Sequence, residues 1–74
     1  MPIVIAPTFT PLVIVRLALD DKVKRHFENL GIGINCETEV LSQSGGSIIV
    51  RIKDGRLALD KNLGAKIFVK IKEE

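Results

Sequence analysis

Two stretches of the chain alternate apolar with polar positions, Ile48 to Lys53 and Lys66 to Lys72, and a period of two marks a strand with one buried face. The first sets Ile48, Val50 and Ile52 against Ile49, Arg51 and Lys53. The second sets Ile67, Val69 and Ile71 toward a core and Lys66, Phe68, Lys70 and Lys72 away from it. Leu12 to Leu19, rich in Val, Ile and Leu, predicts an earlier strand, and Glu37 to Ser42 and Arg56 to Leu59 predict two more. At Asp20 the period changes to that of a helix. Asp20 can cap it, Val23, Phe27 and Leu30 fall on one stripe, and Gly31 stands where a left-handed C-terminal cap is wanted. Ile32-Gly33-Ile34-Asn35 and Ser44-Gly45-Gly46-Ser47 read as connector and turn, Asp54-Gly55 as a two-residue hairpin turn, and Asp60 to Gly64 as one helical turn. Pro2, Pro7 and Pro11 punctuate residues 1–11, with Ile3, Val4, Ile5 and Phe9 as apolar anchors. Proline donates no ladder hydrogen bond, so this segment predicts an edge strand or a draped arm.

Five short strands with one short α-helix between the first two predict a mainly β fold. At 74 residues, a flat sheet could not bury both faces, so the sheet should curl into a small barrel forming a single domain over residues 1–74. The composition, 46% hydrophobic, excludes a disordered segment. Arg16-Leu17-Ala18-Leu19-Asp20 recurs as Arg56-Leu57-Ala58-Leu59-Asp60, but five residues fall far short of a repeat unit. One cysteine excludes a disulfide-stapled domain, and the chain shows neither a basic leader nor an apolar run of membrane-spanning length, which predicts a cytoplasmic location. Eleven Lys and Arg against nine Asp and Glu leave a net charge of +2, which permits an anionic partner without demanding one.

The chemistry-bearing residues are few. His26, the sole imidazole, lies beside Phe27 on a lysine-rich helix with no nucleophile to serve, so no enzyme activity is expected. His26 and Cys36 are the weak candidates for a metal, and ten positions apart with no second Cys or His they cannot complete a transition-metal set; at most weak Fe(II) or Zn(II) binding is expected. Gly31-x-Gly33 and Gly45-Gly46 lack the strand, helix and lysine of a phosphate loop. A peptide-binding SH3 platform needs Tyr and Trp, and the chain has neither, so no SH3-type ligand is expected. Nucleic acid is disfavoured because only Phe9, Phe27 and Phe68 could stack on bases. Phe68 has two readings: apolar cover beneath the N-terminal arm, or an exposed partner contact ringed by Lys66, Lys70 and Lys72. Lys22, Lys24 and Arg25 on the helix form the alternative partner surface.

Val23-Lys24-Arg25-His26-Phe27-Glu28-Asn29-Leu30-Gly31-Ile32, then Glu37 to Leu41, Gly46 to Val50, Arg56-Leu57-Ala58-Leu59 and Ile67-Phe68-Val69 together resemble the core domain of the ferrous iron transport protein A (FeoA) family over residues 12–72. The resemblance implies an SH3-like β-barrel. It also implies a cytoplasmic accessory that docks to the cytoplasmic part of the membrane GTPase transporter, ferrous iron transport protein B, meeting the inner face of the membrane through that partner. Similar domains end metal-dependent repressors, so the family is loosely associated with transition-metal binding, and a metal-sensing regulatory domain or a small nucleic-acid-binding barrel are the alternatives. Asn35 stands where the family has glycine and Gly64 where it has alanine; Asn tolerates left-handed backbone and Gly is smaller than Ala, so both should fit the fold.

Overall fold

The computed structural model describes residues 1–73. Five antiparallel strands, β1 (Leu12–Leu17), β2 (Glu37–Ser44), β3 (Ser47–Ile52), β4 (Gly55–Asp60) and β5 (Ile67–Ile71), form one sheet in the order β4-β3-β2-β1-β5. Two helices interrupt them, α1 (Asp21–Leu30) after β1 and α2 (Lys61–Gly64) after β4. β2 serves two partners in turn. Its Glu37 and Thr38 pair with Val13 and Leu12 of β1, whereas Glu39 to Ser44 pair with β3, with a register break between Val40 and Ser42. The sheet therefore divides into a β1–β5 wing and a β3–β4 wing that share β2. Buried Thr38 ties β2 to the second wing by donating its hydroxyl to the Arg51 carbonyl at 2.9 Å.

Residues 1–11 form an arm tied to the fold by single bridges and no strand ladder. Ile3–Ile5 form a 3₁₀ turn flanked by single bridges, Pro2 to Phe68 on β5 and Thr8 to Val40 on β2. The Met1 amine donates to the Val69 carbonyl and the Val69 amide to the Met1 carbonyl, while Phe9 N–H donates to the Val40 carbonyl and the Gln43 amide to the Val4 carbonyl. The segment thus runs from the free edge of β5 to β2, joining the wings where the strand ladder is thin. Ile3 and Ala6 enter the core, but Ile5 and Phe9 are about 70% exposed (69% and 70%), against the expectation that both would anchor.

The helix forms as its caps demand. Asp20 accepts from the Val23 amide at 3.0 Å, and Gly31 takes φ 98° with its amide on the Glu28 carbonyl and the Ile32 amide on the Phe27 carbonyl. This is a Schellman cap, in which the residue after the glycine packs on the residue five before it. Phe27 and Ile32 are both buried, whereas Leu30, read from the stripe as a core residue, is 36% exposed. The chain reverses at Gly31, and Ile32 takes the place a fourth helical turn would have offered Leu30. The repeated pentapeptides acquire a meaning here, since each leads from a strand into a helix and ends on its cap: Asp20 for α1 and Asp60, which accepts from the Asn62 amide at 2.7 Å, for α2.

Ile48, Val50, Ile67 and Val69 point inward as their alternation predicts, with Leu12, Ile14, Leu17, Val40 and Leu59 completing the core. Ile71, at the last rung opposite Leu12, is exposed instead. The β3–β4 turn falls one residue earlier than the Asp54-Gly55 reading: Lys53 and Asp54 form it, Gly55 pairs with Ile52, and the positive φ of 142° belongs to Gly55.

Candidate functional site

The outer face of β1 and β5 gathers the exposed groups that carry chemistry. Strand alternation would send Arg16 inward after Leu12 and Ile14, but a register break between Ile14 and Arg16 inserts an extra residue, so Val15 and Arg16 both face outward and Leu17 returns to the core. Arg16 pairs with Phe68, and its guanidinium carbon lies 5.4 Å from the ring centroid, a cation–π contact. Phe68 is half-buried and bridged to Pro2. Its backbone thus meets the N-terminal arm while its ring meets Arg16. Beside it a cleft of about 390 Å³ is lined by Val13, Val15, Asn35, Lys70, Lys72 and Glu73. Asn35 reaches this cleft through a left-handed backbone, φ 70°, held by its amide's bond to the Ile14 carbonyl.

The cations of the sheet differ in their commitments. Lys72 donates to Glu37, and this hydrogen bond, then the Lys72 charge, holds the Glu37 carboxyl below the usual glutamate value. With the folded pKa lowered, the pair contributes above the unfolded carboxyl's pKa and is lost as pH falls through the folded one; the solvent exposure of both side chains keeps it small. Arg51 on β3 pairs with Glu39 at 2.9 Å. Among the described residues, Arg16, Lys66 and Lys70 have no carboxylate within ion-pair distance.

The other sequence candidates lie elsewhere. His26 is exposed on α1, its ring tilted against Phe27 with centroids 6.2 Å apart. Cys36 is a half-buried free thiol lining a second cleft, of about 430 Å³, with Gly31, Glu37, Arg51 and Lys53. No three His, Cys, Asp or Glu side chains among the described residues are grouped to hold a metal ion. Lys22 and Arg25 are exposed and Lys24 is half-buried, all on α1, so these cations belong to a different element from Lys66, Phe68 and Lys70.

The FeoA domain family model matches residues 1–71. The chain belongs to the FeoA family. A crystal structure described as that of an iron uptake regulatory protein, FeoA, is similar over 95% of each chain, with a TM-score of 0.82 and 20% identity. That likeness shows a common fold. No curated protein matches the chain. The matched region begins at residue 1, so the N-terminal segment that joins the wings is part of the FeoA domain and not an addition to a core starting at residue 12. No helix among the described residues is long and apolar enough to cross a membrane.

Sequence reading named Phe68, Lys66 and Lys70 but missed Arg16, Val13 and Val15. Counting by twos from Leu12 places Arg16 on the core side. A charged residue inside a run of Val, Ile and Leu was the available signal, because an arginine in a small core asks for a bulge to carry it out.

Proposed function

We propose that this FeoA domain is a non-enzymatic accessory of ferrous iron transport that acts on the cytoplasmic side of the membrane by docking to the cytoplasmic part of the GTPase transporter, ferrous iron transport protein B. The family match over residues 1–71 is the observation that carries this reading, and it supports a role in ferrous iron transport. The half-buried Phe68 beneath Arg16, with uncommitted cations around it, supports docking as the mode of action, for an aromatic centre within a polar rim is the usual composition of an interface. The metal-sensing alternative has no ligand cluster to support it among the described residues.

The test is retention of the purified chain by the immobilised cytoplasmic region of the transporter, in nucleotide-free, GDP-bound and GTP-analogue-bound forms, together with ferrous iron uptake in cells lacking the chain. Retention in at least one form and lowered uptake are expected. Absence of retention in all three forms would overturn docking.

A further inference from the structure

We propose that the outer face of β1 and β5 binds an acidic, extended segment of a partner protein, with Phe68 and the Val13–Val15 cleft receiving an apolar side chain and Arg16, Lys66 and Lys70 receiving flanking carboxylates. The proposal deepens the docking reading by naming the face and the chemistry it accepts. Three observations converge on it. The bulge in β1 interrupts its ladder with β5 and places an arginine over an aromatic ring. A guanidinium in cation–π contact keeps N–H donors available, and a carboxylate can accept two of them side by side.

Charge is the second observation. Arg16, Lys66 and Lys70 lack ion-pair partners among the described residues, although Lys72 and Arg51 have them. Of the carboxylates near the cleft, Glu37 is taken by Lys72, and Glu73 lines the cleft together with Lys70. The surplus is positive but small. Nucleic acid, with a phosphate charge about every 1.7 Å of duplex axis, would meet both carboxylates and find one half-buried ring for stacking. An anionic membrane surface calls for a cluster of about four to eight cations. A short peptide with two or three carboxylates matches Arg16, Lys66 and Lys70, the cations of this face unpaired among the described residues.

Third, the partner must bind through side chains. The amide and carbonyl of Val69 on β5 are already used by Met1, so strand addition at that edge is blocked while the face stays open.

The experiment titrates ¹⁵N-labelled protein with a short peptide carrying Asp and Glu on both sides of a leucine, with its Asn and Gln twin, with its lysine twin and with a single-stranded oligonucleotide. The acidic peptide should shift amides of β1, β5 and Asn35, and the Asn and Gln twin should bind at least about tenfold more weakly. Arg16→Glu with Lys70→Glu, both exposed, should weaken the acidic peptide by at least about tenfold, and Phe68→Ser by about thirtyfold. Because Phe68→Ser can loosen the arm, the charge reversal decides where the two disagree. Equal affinity of the acidic and amide peptides, shifts confined to Lys22 and Arg25 on α1, or tighter binding of the oligonucleotide would each overturn the proposal. If the transporter's cytoplasmic region retains wild type and charge-reversed protein equally, the face is wrong and docking stands. Loss of retention on charge reversal supports both.

Discussion

Gly64 shows how a single residue's meaning depends on its neighbours. In the sequence its glycine reads as a harmless small residue, yet a Cβ built here would stand 2.8 Å from Val4 Cγ1 and 3.5 and 3.6 Å from methyls of Ile48 and Ile3. The missing methyl's space is filled by the N-terminal segment. Gly64→Ala gains up to about 1 kcal/mol of helix propensity, but Val is stiff at χ1 and the overpacking costs about 1–3 kcal/mol. The expected outcome is a net loss of about 1 kcal/mol in urea denaturation, recovered in part when Val4→Ala is added. An increase in the denaturation midpoint would show that Val4 yields freely. Asn35 and Phe9 make a contrast in legibility: both have positive φ, 70° and 55°. Asparagine announces that tolerance in the sequence. Phenylalanine does not, and its backbone is held there by the bond from its amide to the Val40 carbonyl beside the Thr8 bridge.

Among the elements, α1 was the most legible because its signals are local. Asp20, the stripe through Phe27 and Gly31 lie within twelve positions, and each acts within a turn or two. The stripe failed only at its end, where the Schellman cap exchanges Leu30 for Ile32. Phe27→Ala should therefore destabilise the fold by about 3 kcal/mol or more, whereas Leu30→Ala should cost far less, within about 1 kcal/mol. Chemical denaturation of the two variants checks the exchange, and equal losses would restore Leu30 to the core. The β1 bulge lay beyond local signals. Its position answers to β5, more than fifty residues away, and to the need to keep both Ile14 and Leu17 inside while Arg16 stays out.

At the scale of the whole molecule, the N-terminal segment connects two wings whose strand ladders meet through only two residue pairs of β1 and β2. Its bridges explain why Ile3 is core while Ile5, two residues on, is not. The same arrangement leaves the metal candidates apart from any third ligand: His26 is exposed on the helix, and Cys36 lies before β2 at the larger cleft. Fe(II) and Zn(II) should bind the purified protein with about micromolar affinity or worse, since one imidazole and one thiol cannot close a four-ligand site. Isothermal titration under anaerobic, reducing conditions measures this. A one-to-one isotherm tighter by several orders of magnitude and abolished by His26→Ala would shift the reading to metal sensing.

The sequence by itself determined the number of strands, the helix and its caps, and the inward Ile48 and Val50 of β3, because alternation, capping and turn chemistry act over a few residues. Its likeness to FeoA domains was legible for the same reason, in the order of those local signals. Tertiary structure alone decided that the first residues span two wings, that Val4 occupies the space beside Gly64, and that Arg16 lies over Phe68. Each of these joins segments distant in the chain. Burial and register are settled there by which neighbour arrives to exclude water, and a pattern of periods two and 3.6 carries no record of that neighbour.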